Sequence, residues 1–449
     1  MSDHYIAIFG GAVSGSEAAW QFAQKGIRVA VFDQNPLPYG KIEDGLPKWH
    51  VKLRDKEEEK INEKLSHPLV QFIPNVQLGK NVDFQEVVRE WGFSAVLLAN
   101  GAWRDRPLPI EGADDFEGKG LYYQNPFIYW YNHYHEPNFS GQHFDTPDNA
   151  IIIGGGLASL DVAKVLMFEN VQRALKARGH EVDLFTLDRS IAKVLEDLNL
   201  TLDDLGVKGC TLYYRRRAMD MPLSSSPTDT PEQVAKAQIT NEKIFNNYQS
   251  KYLFNFEPLH VPVDKIVENG QMAGLIFRRT EMQNGRLKEV AGSDYEVRSP
   301  LVISSIGSLP SPIPGVPMDG TIYEITEQTC CRVKGFNTVF ALGNAVTGRG
   351  NIIESARHGR QVSQAIIGQM EQGREKDIET GFRNREDVVA GQVNQILDFL
   401  PEELTPEAMT KVNHKISHLQ QAAGYGGNFM EWVEKQLPVR LEDMIGVKH

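Results

Sequence analysis

The chain has 449 residues, 41% of them hydrophobic, which is enough for two or three domains with cores of their own. Its formal net charge of -12 argues against a nucleic-acid-binding protein, which needs a net basic face. The N-terminus shows no secretory signal, and no apolar run is long enough to span a membrane. We therefore expect a cytoplasmic protein that neither binds nucleic acid nor inserts into a membrane.

The first 33 residues predict a β-turn-α-β unit of the kind that binds nucleotides. Residues 4–11 form an apolar run typical of a buried strand, residues 16–26 have helical spacing, and residues 27–33 predict a second strand. The turn between strand and helix reads GGAVSG, close to the Gly-x-Gly-x-x-Gly fingerprint of dinucleotide-binding loops. The loop alone leaves two interpretations open, a cofactor site and a glycine-rich turn without a ligand.

Two of the three fingerprint positions in this turn keep glycine. Gly10 allows the tight turn and Gly15 allows close packing of helix and strand, whereas Ala12 puts a methyl group where the backbone approaches pyrophosphate. The helix that follows still presents amide donors and a positive dipole to phosphate. Asp33, 23 positions after Gly10, is placed to accept a hydrogen bond from a ribose hydroxyl.

Residues 148–168 repeat this pattern roughly 145 residues later, with an apolar strand, three glycines and a helix. Gly154 and Gly156 occupy the first two fingerprint positions, and Ser159 is small enough for the third. The following strand ends in three arginines, residues 215–217, at the position where an NAD site has an acid. Charge-assisted donors at that position favour a 2′-phosphate and predict NADP(H). A solvated basic strand end is the alternative.

The remaining sequence predicts further elements and one domain boundary. They are an extra helix within 172–208, strands within 273–306, a Pro-rich boundary at 308–317, a strand, glycine loop and helix within 337–367, and polar helices from about 375 onward.

Cysteine and histidine patterns predict neither a redox disulfide nor a metal site. Cys210, Cys330 and Cys331 lack the spacing of a redox pair, and no cluster suits zinc or an iron–sulfur centre. We interpret the adjacent pair as half-buried strand residues. His133 and His135 form an H-x-H pair that we interpret as loop residues, because no further ligands cluster near them.

Several segments in combination resemble one family. They are NPLPYGKIEDGLPKWHVK (35–52), LLANGA (97–102), PFIYWYNHY (126–134), GGGLASLDVAK (154–164), YRRRAMDMP (214–222) and VFALGNAVTGRGNII (339–353). With these segments the chain resembles the adrenodoxin reductase and glutamate synthase small-subunit group of FAD- and NADP-dependent reductases over residues 4–367. Any single glycine loop is a weak signal, whereas the combination is specific.

This resemblance implies an α/β fold with two Rossmann-like dinucleotide-binding domains, as in glutathione-reductase-like flavoproteins, and a helical C-terminal extension. The FAD domain would comprise residues 1–106 with 325–375, the NADP domain residues 107–324, and the extension residues 376–449. The implied FAD site consists of Gly10, Ala12, Val13, Ser14, Gly15, Asp33, Gly40, His50, Asn100, Gly101, Ala102, Gly343, Asn344, Gly350, Asn351, Ile352 and Ile353. The implied NADP(H) site consists of Gly154, Gly156, Leu157, Ala158, Arg215 and Arg216, with Arg217 as a possible helper.

Three positions depart from the family pattern. Ala12 replaces the middle glycine, Asn344 replaces an aspartate that many relatives place beside the flavin, and Asp33 replaces a longer glutamate. Each replacement keeps the hydrogen-bonding function or adds a single methyl group. We therefore expect FAD to bind.

The resemblance further implies hydride transfer from NADPH to FAD, followed by release of single electrons. His50 falls on a family position near the flavin and is the candidate catalytic residue, with a structural role as the alternative. The absence of a redox cysteine pair predicts a diffusing acceptor, namely a ferredoxin, an adrenodoxin-like protein or a flavodoxin. Its docking face is predicted at Arg332, Lys334, Arg349, Arg357 and Arg360, or else these are scattered solvated charges.

Two other functions stay open from the sequence. The chain could be a flavoprotein subunit of a larger electron-transfer complex, with residues 375–449 as a docking arm. It could also be a non-catalytic flavin-binding protein, which the departures at Ala12 and Asn344 favour.

Overall fold

A computed structural model gives the structure of the chain. The described residues are 3–224, 226, 228–283, 285–327, 329–346 and 373–447, without the side chains of 373–377.

The chain divides into two compact units. Unit 1 comprises Met1–Leu46, His50–Arg104 and Leu309–His449, and unit 2 comprises Pro47–Trp49 and Asp105–Ser308. The change from unit 2 back to unit 1 occurs at the start of the Pro-rich segment. The predicted limits of the FAD and NADP domains remain a prediction.

The strands of the described residues form two larger parallel or mostly parallel sheets and smaller sheets. They are β1 (Tyr5–Phe9), β2 (Arg28–Phe32), β3 (Val70–Ile73), β4 (Ala95–Leu98), β5 (Arg104–Asp105), β6 (Leu121–Tyr123), β7 (Ile151–Gly154), β8 (Thr211–Tyr214), β9 (Asn255–Pro258), β10 (His260–Glu268), β11 (Gln271–Gln283), β12 (Arg286–Glu289), β13 (Tyr295–Arg298), β14 (Val302–Ser305), β15 (Ser308–Leu309), β16 (Met318–Asp319), β17 (Ile322–Tyr323), β18 (Ile325–Glu327), β19 (Arg332–Val333) and β20 (Val339–Ala341).

The helices of the described residues pack around these strands. They are α1 (Val13–Gln24), α2 (Lys41–Asp44), α3 (Val51–Leu65), α4 (Phe84–Glu90), α5 (Gln124–His133), α6 (Leu157–Ala177), α7 (Leu184–Arg189), α8 (Ile191–Asp197), α9 (Leu202–Leu205), α10 (Pro231–Tyr252), α11 (Gly373–Ile396), α12 (Pro406–Ala422), α13 (Phe429–Gln436) and α14 (Leu441–Ile445).

Unit 1 is built on a seven-stranded sheet in the order β18-β19-β20-β4-β1-β2-β3. The five strands from β20 to β3 are parallel, and β19 and β18 extend the sheet antiparallel. The central strand YIAIF is fully buried, as expected for a parallel strand with both faces covered. Successive residues of β1, such as Ile6 and Ala7, enter separate cores on opposite faces of the sheet.

Unit 2 contains a five-stranded parallel sheet in the order β6-β14-β7-β8-β9. Around the strand that precedes each glycine loop the order corresponds, because β7 lies between β8 and β14 as β1 lies between β2 and β4. Ligands of such sheets bind beyond the carboxyl ends of the strands where the strand order reverses. A second sheet of unit 2, antiparallel, joins β10, β11, β12 and β13.

The C-terminal helices belong to unit 1. Val389, Val393 and Ile396 of α11 are fully buried in the same core as β1 and α1, and Val412 and Ile416 of α12 are buried in the core on the other face. The predicted helical C-terminal region is confirmed, and its apolar stripes complete both cores.

Three local predictions are corrected. The segment before β8 holds three short helices, α7, α8 and α9, instead of one. Cys330 and Cys331 are fully buried at a turn before β19, not half-buried in a strand. His133 is the last residue of α5, where its ring pairs with Glu136, so it is not a loop residue.

The sequence predicts neither a metal site nor a membrane-spanning segment. Among the residues that the structure describes, no three His, Cys, Asp or Glu side chains are grouped as metal ligands. Within the same ranges, no helix combines the length and the apolar character required to cross a bilayer.

Candidate cofactor sites

The turn after β1 requires glycine at the first and third fingerprint positions, where the sequence has it. Gly10 has φ +105, and a Cβ there would collide with the carbonyl of Ala99, the residue directly after β4. A Cβ on Gly15 would collide with the carbonyl oxygen of Gly10. Glycine at these two positions avoids the collisions and so permits the tight turn and the close approach of α1 to β1.

Ala12 occupies the N-cap of α1 in an extended conformation, with φ -70 and ψ -159. An L-residue adopts this conformation without strain, so the missing middle glycine does not distort the loop. No side chain caps this helix end. The first amide groups of α1 are therefore available to an anion, which the helix dipole also favours.

A cavity of about 250 Å³ lies beside this helix end in unit 1. The residues that the sequence predicted and that line it are Gly10, Ala12, Val13, Ser14, Asp33, Gly40, Asn100, Gly101, Ala102 and Asn344. The sequence did not single out Lys41, Trp103, Phe382 and Arg385 as lining residues. The two last belong to α11, some 370 residues from the glycine loop, and no fingerprint covers that distance.

Asp33 lies at the wall of this cavity with both carboxylate oxygens engaged. Its Oδ2 accepts a hydrogen bond from the amide of Gly11 at 2.7 Å, and its Oδ1 accepts one from the amide of Asn35 at 2.9 Å. Burial raises its pKa from 3.8 to about 6, against the lowering effect of the two amides. A carboxylate has about four acceptor positions, so Asp33 can still accept from a ribose hydroxyl.

Asn100 presents an unsatisfied polar atom at the cavity. Its Nδ2 donates to the hydroxyl of Tyr323 at 2.9 Å, and that hydroxyl donates to the carbonyl of Ser311 at 2.9 Å. Its Oδ1 is buried without a hydrogen-bond partner among the described residues. Because such atoms are rarely left unpaired, a ligand donor at this position fits the site.

Other predicted residues lie beside the cavity or outside the described residues. Gly343 does not line the cavity, but a Cβ there would collide with the Ser14 hydroxyl. His50 is buried at the start of α3 and is not among the lining residues. Four residues of the predicted FAD site lie outside the described ranges, namely Gly350, Asn351, Ile352 and Ile353.

The second glycine loop, after β7, has a different internal structure. A Cβ on Gly154 would lie 2.6 Å from the carbonyl oxygen of Ser305 and from Cβ of Ser159, so close packing requires glycine there. The Ser159 hydroxyl donates to the carbonyl of Gly156 at 2.6 Å, which uses the polar atom of the third fingerprint position. Leu157 and Ala158 open α6 directly after this loop.

Gly156 is the exception in this loop. It caps α6 in an extended conformation, with φ -105 and ψ 177, and a Cβ there would meet no atom within 4 Å. Neither conformation nor packing within the described residues requires glycine at this position. Gly156 occupies the middle fingerprint position, where glycine in dinucleotide-binding loops lets a ligand approach the backbone closely.

The three arginines after β8 are in different states. Arg217 forms a two-pronged ion pair with Asp220, with distances of 2.8 and 2.9 Å. Arg215 is exposed, and the structure gives neither Arg215 nor Arg216 an acidic partner within the described ranges. The Nε of Arg216 is buried without a hydrogen-bond partner. Two guanidinium groups at this strand end are therefore available to an anionic ligand.

Of the residues predicted as a docking face, the two that are described are already paired. Lys334 contacts Glu324 at 2.5 Å, and Arg332 lies 3.5 Å from Glu327 with its guanidinium over the ring of Phe399. Arg349, Arg357 and Arg360 lie outside the described residues.

Comparisons with known proteins agree with this geometry. Residues 4–201 match the family model described as pyridine nucleotide-disulphide oxidoreductase. The chain is 26% identical to the mitochondrial NADPH:adrenodoxin oxidoreductase of Arabidopsis thaliana, over 70% of this chain and 70% of that protein. It is 27% identical to NADPH-ferredoxin reductase FprA of Mycobacterium leprae, over 76% of this chain and 78% of that protein.

The fold is also that of a solved relative. The structure of Mycobacterium tuberculosis FprA in complex with NADPH matches with a TM-score of 0.65 and 20% identity, over 93% of this chain and 90% of that chain. The predicted α/β fold is thereby confirmed. The resemblance found in the sequence motifs is confirmed as well, because the chain is similar over most of its length to an NADPH:adrenodoxin oxidoreductase and to NADPH-ferredoxin reductase FprA.

Proposed function

We propose that this chain is an NADPH-dependent reductase that contains FAD and passes electrons singly to a small carrier protein. The observation that carries the proposal is that each unit has a glycine loop after a strand with corresponding neighbours, and that the residues after the next strand have opposite charges in the two units. Asp33 follows β2, whereas Arg215 and Arg216 follow β8. Acid at that position suits a ribose hydroxyl and arginine suits a 2′-phosphate.

FAD would occupy the cavity of unit 1. The amide groups at the start of α1 would face its pyrophosphate, Asp33 would accept from the adenosine ribose, and Asn100 Oδ1 would accept from a ligand donor. When bound, FAD supplies the ability to accept two electrons as a hydride and to release them one at a time.

NADPH would bind at the loop after β7. Gly156 leaves its backbone open to the pyrophosphate, and Arg215 with Arg216 would hold the 2′-phosphate by charge-assisted hydrogen bonds. Arg217 would contribute little, because Asp220 already occupies its donors.

Two observations support a small carrier protein as the electron acceptor, namely the names of the similar proteins and the state of the cysteines. The relatives are named for adrenodoxin and ferredoxin. None of the three cysteines forms a disulfide, all three are buried, and Cys210 lies far in sequence from the adjacent pair, so we do not propose that electrons leave through a thiol pair. We propose a ferredoxin, an adrenodoxin-like protein or a flavodoxin as the acceptor. Free thiols also fit our proposal of a cytoplasmic protein.

A subunit of a larger complex is less well supported than a free reductase. Its docking arm would be residues 375–449, but α11, α12 and α13 bury apolar side chains within unit 1. The indole of Trp432 on α13 also donates to the carbonyl of Pro36 at 2.7 Å. A segment bound in this way supports its own unit rather than a separate partner.

The proposal is tested with the purified protein in three steps. The protein should have a flavin absorbance spectrum, should be reduced by NADPH in preference to NADH, and should then reduce a ferredoxin from the same organism in stopped-flow mixing. The last rate should fall with added salt if docking is electrostatic, since exposed charges are screened within about 8–10 Å at physiological ionic strength. An artificial dye acceptor serves as the control that does not dock.

Each outcome separates the candidates. A colourless protein that fails to bind added FAD would overturn the proposal. A flavoprotein that NADPH does not reduce would be the non-catalytic binder. A salt-independent rate with no preference for any carrier over the dye would leave the subunit of a complex as the better description.

A further inference from the structure

Helix α11 carries an arginine on its buried stripe. Phe382, Val389, Val393 and Ile396 follow helical spacing and pack into the core that includes β1 and α1. Arg385 falls on the same stripe, one turn before Val389. An arginine among core positions costs free energy unless its charge is paired or solvated.

Arg385 has no acidic partner within the ranges that the structure describes. Two charged neighbours on α11 are paired with residues of opposite charge. Glu379 contacts Lys56 at 2.6 Å, and Glu386 pairs with Lys64. Burial lowers the pKa of the Arg385 guanidinium, and no carboxylate offsets this effect. Glu379, Arg383 and Glu386 of this helix are thus paired, whereas no ion pair of Arg385 is present among the described residues.

Arg385 lies instead at the cavity beside the first glycine loop. It lines that cavity together with Gly10, Ala12, Val13 and Ser14. Gly343 shows how close the approach is, because a Cβ built there would lie next to the Ser14 side chain and 3.9 Å from Cδ of Arg385. The guanidinium and the uncapped start of α1 therefore present positive charge to the same space.

The other charged groups of this cavity do not neutralise Arg385. Asp33 accepts from the amides of Gly11 and Asn35. Lys41 is a second cation, with its ammonium 5.7 Å from the centre of the Trp103 ring. Arg385 and the first amide groups of α1 therefore offer positive charge that no described carboxylate compensates, which suits an anion.

We propose that Arg385 binds the pyrophosphate of the flavin dinucleotide, so that the C-terminal helix α11 forms part of the cofactor site. This inference rests on the proposed function, because FAD is the anion it assigns to the cavity. In this assignment the bound phosphate is the counter-ion that Arg385 otherwise lacks. A helix far from the glycine loop in sequence then supplies the charge that a dinucleotide loop does not provide by itself.

The test replaces Arg385 with methionine, which keeps the length of the side chain and removes its charge. Nucleotide-free protein is titrated calorimetrically with FAD, with ADP as a diphosphate without flavin, and with riboflavin as a flavin without phosphate. Loss of one charge-assisted contact should weaken FAD and ADP by about ten- to hundredfold and leave riboflavin unchanged. The melting temperature of the nucleotide-free variant should be unchanged or higher, because the substitution removes an unpaired charge from an apolar helix stripe.

Arg383→Met is the matched control on the same helix. Arg383 is exposed and pairs with Glu379 at 3.0 Å, so this variant should bind FAD and ADP as the unchanged protein does. Arg385→Lys keeps a charge and should retain more FAD affinity than Arg385→Met.

Two results would overturn the inference. One is equal affinity of Arg385→Met and the unchanged protein for FAD and ADP. The other is a loss of stability in nucleotide-free Arg385→Met, with riboflavin weakened as much as FAD, which would assign Arg385 a structural role. If the unchanged protein binds no FAD at all, the proposed function fails instead, so the two failures are distinguishable.

Discussion

The glycine loops after β1 and after β7 follow strands with corresponding neighbours in their sheets. The charged residues near the two loops nevertheless differ in sign and in how they are paired. In unit 1, an acid is buried and tied to two amides, and the cations at the cavity come from elsewhere in the chain. In unit 2, two arginines directly after β8 have no acidic partner in the described part of the chain. In sheets of this kind, ligands bind where the strand order reverses, and the residue after the second strand of the β-turn-α-β unit distinguishes NAD from NADP.

The glycines of the two loops also differ in what they protect. Gly10 and Gly15 prevent collisions within the backbone, so they are required whether or not a ligand binds. Gly156 prevents no collision among the described residues. A glycine without a structural need is the more specific sign of a ligand, since packing cannot account for it.

The largest expected effect is the loss of the arginine pair in unit 2. In Arg215→Gln/Arg216→Gln, two charge-assisted contacts of roughly 1.5–3 kcal/mol each are removed, so kcat/KM for NADPH should fall about a hundredfold or more. The value for NADH should change little, because NADH has no 2′-phosphate. Steady-state kinetics with both nucleotides measures the difference.

Arg217→Gln is the control for that experiment, because its guanidinium is already held by Asp220. It should leave the preference for NADPH within a few-fold of the unchanged protein. Equal losses for NADPH and NADH in the double variant would contradict the assignment of the arginine pair.

The buried acid of unit 1 should give the next effect, a dependence of stability on pH. Asp33 has its pKa raised from 3.8 to about 6, so the folded chain binds this proton more tightly than the unfolded chain does. Its stabilising contribution is complete below about pH 4 and is lost as the pH rises through about 6, amounting to up to ~3 kcal/mol. In Asp33→Asn, this part of the pH dependence should disappear from urea unfolding of the nucleotide-free protein.

Asp443→Asn, at an exposed acid of unit 1, provides the comparison. It should reproduce the pH profile of the unchanged protein between pH 4 and 7. Identical profiles for Asp33→Asn and the unchanged protein would show that the Asp33 carboxyl titrates normally.

A smaller effect is expected from Gly156→Ala. The added methyl group meets no atom of the described residues, so the free energy of unfolding should change by no more than about 1 kcal/mol. NADPH should nevertheless bind about tenfold more weakly, because the methyl group occupies space that its pyrophosphate needs. Calorimetric titration and thermal unfolding of the same preparation separate the two quantities.

Gly155→Ala gives the opposite pattern and so sharpens this test. Its methyl group would collide with the ring of Tyr214, and the fold of the loop should suffer before any ligand is added. Unchanged NADPH affinity in Gly156→Ala would mean that the backbone does not approach the nucleotide at this position.

The smallest effect is expected from restoring the fingerprint in unit 1. Ala12→Gly removes one methyl group from a residue that already has an unstrained extended backbone. FAD affinity, measured by flavin fluorescence quenching, should stay equal or tighten by a few-fold. A large loss would show that the Ala12 side chain itself holds the cofactor or the adjacent turn at Gly40.

Both glycine loops and both flanking strands could be predicted from the sequence because their constraints are local. A strand that is buried on both faces is a continuous apolar run, and β1 and β7 read in that way. The positions of Gly10 and Gly154 follow from collisions with neighbouring strands of the same sheet. The arginines after β8 were recognised for the same reason, since their position relative to the glycine loop is a fixed distance in a β-turn-α-β unit.

Only the tertiary structure shows which of the arginines after β8 have an acidic partner, and which residues distant in sequence line the cavity at the first glycine loop. The sequence cannot show that Asp220 neutralises Arg217 but not Arg216, because side-chain directions set that choice. It also could not assign Phe382 and Arg385 to the first cavity, since α11 reaches α1 only through packing of its apolar stripe into the sheet core. Motifs along the chain determined the two nucleotide loops, and long-range packing determined the charges that surround them, because a charge acts through space and not along the sequence.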